Sequence, residues 1–298
     1  MSAATIGVVI ATRNRATGLL ATLDRLTALP ERPPITVVDN ASDDGTRALL
    51  ASRFPAVRVL ALPANLGASA RNKGVLALPA RYIAFSDDDS WWEPGALAEA
   101  VGLMERDPRL GLVAARTLVG EERAPDPLND VLAASPPAAG DDPSAPAAGD
   151  GQPGPPVLGF LGCAAVVRRS AFLSVGGYHP LLFIGGEETL LAYDLTAAGW
   201  HVRYAPQVTA VHRPAAGPRP GRDALMRRNE VLTAWLRRPL PVALRSTWRL
   251  AGAARREPAA RQALGQLLPR LPAAVRGRRP LPAGVEAHVR RLEPADAP

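Results

Sequence analysis

Cysteine is almost absent from this 298-residue chain: Cys163 stands alone and cannot close a disulfide within it. A small secreted scaffold held together by disulfides is therefore excluded. Aromatic residues make up only 5% of the total, so a core must be built from Ala, Val and Leu. No run of about 18 uncharged apolar residues occurs, and none of the sequence reads as a membrane-spanning helix. The apolar run that begins at Ile6 has no basic segment or cleavage site ahead of it, so the expected compartment is the cytoplasm. Lysine is nearly missing too, with Lys73 alone among 35 basic residues, a bias typical of an arginine-rich, GC-rich genome.

What is present defines an ordinary globular protein. Apolar residues at 47% and charged residues at 21% argue against disorder, and 31 prolines rule out a coiled coil. The net charge of +7 is unevenly placed: from Arg213 onward 18 arginines face 6 acids, so the preceding residues are net acidic. Basic character confined to the C-terminus, without a recognition motif, does not predict a nucleic-acid partner.

Apolar runs at Ile6–Ala11, Ile35–Val38, Val57–Leu62, Tyr82–Phe85 and Leu110–Ala114 lack polar alternation, as strands buried on both faces do. Between them lie helical patterns. Leu19, Leu20, Leu23, Leu26 and Leu29 mark the first, and Ser42–Thr46 opens a second through Ala51. Others run over about 68–78 and 95–106. The alternation predicts an α/β fold with a mostly parallel sheet flanked by helices. Residues 120–156 hold 9 prolines and few large apolar residues, and read as a mobile loop. Order resumes with Val157–Val167, a helix near Ser170–Val175, another over Glu187–Ala198, and strands at Val202–Tyr204 and Val208–Val211. A domain over 1–215 is thus followed by a basic helical extension over 216–298. In the extension, Leu225, Val231, Leu232, Trp235 and Leu236 form an apolar face ringed by Arg227, Arg228, Arg237 and Arg238. Such a face suits either packing on the core or a peripheral contact with a membrane.

Asp87–Asp88–Asp89, directly after a strand, is the sharpest chemical signal. Adjacent carboxylates repel, and a divalent cation removes the objection. On an extended backbone Asp87 and Asp89 would project the same way, toward one cation completed by phosphate oxygens. A solvated acidic turn is the competing reading, and Trp91–Trp92 just beyond hints at a ligand platform. Four strands end in polar residues, at Thr12–Arg13–Asn14, Asp39–Asn40, Asn65 and Asp87–Asp89, which places all four clusters on the rim where open parallel sheets bind ligands. Neither a Rossmann glycine fingerprint nor a P-loop follows the first strand.

These segments, Val8–Asn14, Val37–Thr46, Asn65–Asn72, the acidic triplet and Gly185–Glu188, stand in the order found in family-2 glycosyltransferases of the GT-A fold, which the chain resembles over roughly residues 5–215. The resemblance implies an inverting transferase that uses a UDP- or dTDP-type sugar donor with Mn²⁺ or Mg²⁺. It implies that Thr12, Arg13, Asp39, Asn65, Gly67, Arg71, Asp87 and Asp88 line the nucleotide and donor site, and that Asp87, Asp89 and His212 hold the metal. The acceptor would be a glycan, a lipid-linked sugar or a small molecule. A general base is needed opposite the leaving group, and the resemblance points to Glu188, with Glu187 next. Here the family commonly carries Glu-Asp, with a further Asp two residues on, where this chain has Leu190. That departure keeps a non-catalytic relative that binds nucleotide-sugar or glycan as the alternative.

Overall fold

The computed structural model describes residues 5–137, 152–214, 217 and 220–293. The elements alternate as the apolar runs require. They are β1 (Ile6–Thr12), α1 (Ala16–Thr27), β2 (Ile35–Asp39), α2 (Thr46–Arg53), β3 (Arg58–Ala61), α3 (Ala70–Ala77), β4 (Tyr82–Ser86), β5 (Ser90–Trp92), α4 (Ala96–Arg106) and β6 (Leu110–Val119). A 3₁₀ turn, Gly67–Ser69, leads into α3. Then come β7 (Ala124–Pro125), α5 (Leu128–Ala133), β8 (Ala165–Arg168), α6 (Arg169–Ser174), α7 (Glu187–Ala197) and β9 (His201–His212). Five helices follow: α8 (Arg222–Arg237), α9 (Leu240–Ala253), α10 (Pro258–Leu267), α11 (Leu271–Arg276) and α12 (Ala283–Leu292).

The strands form one sheet in the order β3-β2-β1-β4-β8-β6-β9-β5, with β7 paired to β6. β1 to β4, β6 and β9 run one way, and β5, β7 and β8 run against them, so the sheet is mostly parallel. Alternation along β1 explains its unbroken apolar run. Val8 and Ile10 face Leu19, Leu23 and Leu26 of α1 together with Leu97 and Leu103 of α4, whereas Val9 faces Val75 of α3, Phe172 of α6 and Leu191 of α7. Each fully buried leucine of α1 contributes about 2–3 kcal/mol by leaving water. α3 lies unusually close to the sheet because Gly74 has no side chain: a Cβ there would stand 2.5 Å from Val9 Cγ1.

Several expectations change. Val202–Tyr204 and Val208–Val211 are one strand, β9, which follows β6 through a register shift at Ala115/Arg116. The bulge interrupts the apolar pattern without breaking the ladder. Trp91 and Trp92 are no ligand platform, since they lie in β5, paired to β9 and 9% and 1% exposed in the core. Within 120–156, β7 pairs with β6, and α5 buries Leu132 and Asn129, the latter exchanging hydrogen bonds with the Thr117 backbone. The rest of the stretch expected to be mobile, 138–151, lies outside the described residues.

The extension packs inward. Val231, Leu232 and Leu236 of α8 join Leu250 of α9, Leu267 of α10 and Ala274 of α11 in a separate core that also takes Leu182 and Leu190 from the preceding domain. The arginines around that face are therefore not a solvated ring. Arg228 is 2% exposed and donates to Leu182 O and Gln266 Oε1, and Arg238 pairs with Glu286 and Glu293. Arg237 pairs with Asp194 of α7, with side chains 9% and 12% exposed.

Candidate active site

The carboxyl ends of β1, β2 and β4 open on a cleft of about 720 Å³ whose far wall is the start of α7. Three loops are stitched together at its floor. Asn14, held at φ 53°, donates its backbone N–H to Ser42 Oγ and accepts from Asp43 N, which ties the β1–α1 loop to the β2–α2 loop. Asn40 donates from its side chain to Gly67 O and accepts from Leu66 N. Gly67 sits at φ +60°, and a Cβ on it would lie 2.1 Å from Phe183 O. Only glycine lets the 3₁₀ turn meet the segment before α7, where Ala68 N donates to Phe183 O at 2.7 Å.

The acidic triplet occupies the turn between β4 and β5, closed by Asp87 N donating to Ser90 Oγ at 2.7 Å. A turn does not keep strand alternation, so Asp87 and Asp89 do not project alike. Asp87 forms an ion pair with Arg71. Asp88 accepts from Thr12 Oγ1 at 2.8 Å and from Arg15 at 3.3 Å. Asp89 meets Arg15 at 3.2 Å and His212 Nε2 at 3.4 Å. His212 reaches it because β5 pairs with β9 in the register Ser90↔His212. Burial raises the Asp88 carboxyl to about 6, with its two acidic neighbours adding to the rise against the Thr12 bond and Arg15. Burial opposes the charge on Arg71 as well, but Asp87, Tyr178 and the two glutamates outweigh it and hold the guanidinium firmly protonated.

Across the cleft, Gly185 and Gly186 at φ 90° and 81° turn the chain into α7, whose first two residues are Glu187 and Glu188. The helix dipole favours carboxylates there. Glu187 is 4% exposed, and its Oε2 has no hydrogen-bond partner among the described residues. Glu188 lies under the 159–163 loop, so close that a Cβ on Gly162 would stand 3.0 Å from its Oε1. Burial raises both glutamates above the usual carboxylate range, and for Glu188 the charge of Glu187 adds to it. The two titrate as a pair, one holding its proton to higher pH than a free carboxyl would.

Thr12, Arg13, Asn65, Gly67, Arg71, the triplet, Glu187, Glu188 and His212 therefore share one cleft. Asp39 does not line it. It is 1% exposed, caps Ser42 N through Oδ1 and faces Arg47 at 3.4 Å, while the neighbouring Asn40 reaches the cleft. Sequence reasoning missed Arg15, whose signal was a third basic or polar residue after the β1 rim, and Gly162, which carried none.

Among the described residues, no three His, Cys, Asp or Glu side chains group closely enough to hold a metal by themselves. The expected trio is divided because Arg71 draws Asp87 away from Asp89 and His212. The donor chemistry nevertheless fits a divalent cation. Asp89 and His212 offer an oxygen and a nitrogen together, beside Asp88, a half-buried carboxyl whose charge two acidic neighbours disfavour.

Residues 7–176 match the family model described as glycosyl transferase family 2. The chain belongs to that family. A curated relative, the N-acetylglucosaminyl-diphospho-decaprenol L-rhamnosyltransferase of Mycobacterium tuberculosis, is 28% identical to this glycosyltransferase over 236 residues, covering 67% of this chain and 73% of the relative. Among solved structures, the mannosyltransferase PcManGT from Pyrobaculum calidifontis in complex with GDP-Man and Mn²⁺ superposes with a TM-score of 0.55 at 20% identity, covering 98% of this chain and 75% of that one. GalNAc-T7 with UDP, GalNAc and Mn²⁺ gives 0.62 at 15% identity, covering 90% and 55%. The transferase thus has the GT-A fold expected of it.

Proposed function

We propose that this glycosyltransferase moves a sugar from a nucleoside-diphosphate sugar of the UDP or dTDP type to an acceptor hydroxyl, with inversion and with Glu188 as general base. The observation that carries this reading is the opposition of Glu187 and Glu188, at the start of α7, to the basic and acidic rim formed by Arg15, Arg71 and Asp87–Asp89 across one cleft. Arg71, largely enclosed and held charged, suits the diphosphate, to whose oxygens its planar fork can donate. Arg13 and Asn65 line the nucleotide end. A Mn²⁺ or Mg²⁺ ion held by Asp89 and His212, with Asp87 once Arg71 turns to phosphate, would neutralise the departing diphosphate. On the opposite wall, Glu188 accepts the proton of the acceptor hydroxyl as the oxygen attacks the anomeric carbon, and its raised proton affinity makes it a stronger base once its own proton is lost near and above neutrality.

The mycobacterial relative is named for a diphospho-lipid acceptor, and we take a lipid-linked sugar as this protein's acceptor class. Thermal-shift measurements with UDP, dTDP and GDP, each with and without Mn²⁺, test the donor half. A diphosphate at 100 times its Kd should add about 2.7 kcal/mol of stability. The reading predicts that shift for UDP or dTDP only with metal present. A GDP-only response would move the donor class, and no response to any nucleotide would remove the reading.

A further inference from the structure

The five C-terminal helices bury one side of α8 completely but leave one side of α9 bare. Leu240, Leu244 and Trp248, spaced four residues apart, are 48%, 43% and 76% exposed on one stripe of α9. Four-residue spacing places them within 80° of one another, and Arg245 and Arg249 follow on the adjoining edge. α9 contains no acid, and Arg255 and Arg256 extend the basic edge past its end. Among the described residues none of these four arginines forms an ion pair, whereas Arg227 and Arg237 of α8 and Arg238 just after it all have carboxylate partners. The buried side of the same helix, Ala243 and Leu250, anchors it to the extension, and Thr247 accepts from Trp235 Nε1. The stripe is therefore presented by a fixed helix.

A second cavity, about 610 Å³, lies between α8 and α9. It shares Gly186, Thr189 and Met226 with the active-site cleft, so the two adjoin at the start of α7. Arg245, Arg249 and Glu230 stand in its lining.

We propose that α9 seats the protein on an anionic lipid surface, with Leu240, Leu244 and Trp248 entering the headgroup boundary and Arg245, Arg249, Arg255 and Arg256 meeting lipid phosphates. A tryptophan at the edge of an apolar stripe beside arginines is the composition that partitions to such a boundary. Charge complementarity selects an anionic bilayer over a neutral one. The surface goes beyond the transferase reading and needs no turnover to be seen, although it would bring a lipid-linked acceptor to the cavity that adjoins the active-site cleft.

Co-sedimentation of the full chain with vesicles of phosphatidylcholine alone, or of phosphatidylcholine mixed with phosphatidylglycerol, tests this. Wild type should pellet with the mixed vesicles, remain in solution with the neutral ones, and release at high salt. Leu244→Ser/Trp248→Ser and Arg245→Gln/Arg249→Gln should each weaken partitioning by at least about tenfold, with an unchanged melting temperature. Glu188→Gln should sediment as wild type does, which separates this surface from the catalytic proposal. Equal partitioning of wild type and both double variants would overturn the proposal, as would no partitioning at all. A concentration-dependent dimer that Trp248→Ser dissociates would also overturn it, by showing that a second copy covers the stripe.

Discussion

Glu188 and Asp88 are both half-buried carboxyls with raised proton affinity, and the proposed reading uses only one of them as a base. Glu188 lines the cleft, where that reading sets it against an acceptor hydroxyl. Glu188→Gln should keep nucleotide affinity and lower transfer by about 10²–10⁴-fold, as measured by turnover with a confirmed acceptor. A larger loss in Glu187→Gln would shift the base by one residue. Because burial and Glu187 raise Glu188, transfer by wild type should rise with pH through and above neutrality, when the pair loses its more tightly held proton. Asp88 instead faces Thr12 and Arg15, and its raised affinity is a cost to the fold. Its folded value of about 6 exceeds the unfolded 3.8, so the stability it lends is present below the unfolded value and is lost as pH rises through 6. Asparagine still accepts from Thr12 and Arg15 without that charge. Asp88→Asn should stabilise the apo protein by about 1–2 kcal/mol at pH 8, and the gain should shrink on going to pH 5, read by urea denaturation.

At the scale of elements, α7 is held from behind as well as from the cleft. Its N-terminus presents the glutamates, and its last turns are tied to α8 by the Asp194–Arg237 pair. A guanidinium left unpaired in such a place is expensive: Asp194→Ala should cost about 3–5 kcal/mol, measured by chemical denaturation, whereas a loss below about 1 kcal/mol would mark the pair as solvent-screened. The short elements teach the same lesson about context. β5 is three residues long and its two tryptophans read from sequence as a ligand platform, but pairing with β9 buries both and brings His212 beside Asp89. The triplet reads as strand by proximity to β4, and the Ser90 hydroxyl makes it a turn.

For the whole molecule, the decisive feature is a core shared between the transferase domain and its extension. Leu182, just before α7, and Leu190, within it, share one core with residues of α8 to α11. Deletion of 216–298 should expose both and remove the partner of Asp194. The truncated chain should lose solubility and near-UV ellipticity, and the intact chain should melt in a single cooperative transition. A truncated protein that melts like the intact one and binds nucleotide would show that the extension is an independent appendage.

The α/β class, the order of the first strands and helices, and the polar strand-end residues of the rim follow from local rules, whereas Gly67, Arg71, Glu187, Glu188 and His212 were legible only through the family resemblance. Unbroken apolar runs mark strands buried on both faces, leucines at helical spacing mark α1, and polar residues at strand ends mark the rim. Tertiary structure alone decided how those residues were shared out. Arg15 bridges Asp88 and Asp89 from 73 and 74 residues away, Arg71 takes Asp87 across 16, and Asp39 turns inward to cap Ser42, outcomes set by how the loops meet rather than by local pattern. The arginine-rich terminus shows the same division. Its composition announces charge, but only packing separates the arginines that brace α7 and α12 from those on α9 that stand in water, because burial and pairing are set by which helix faces which.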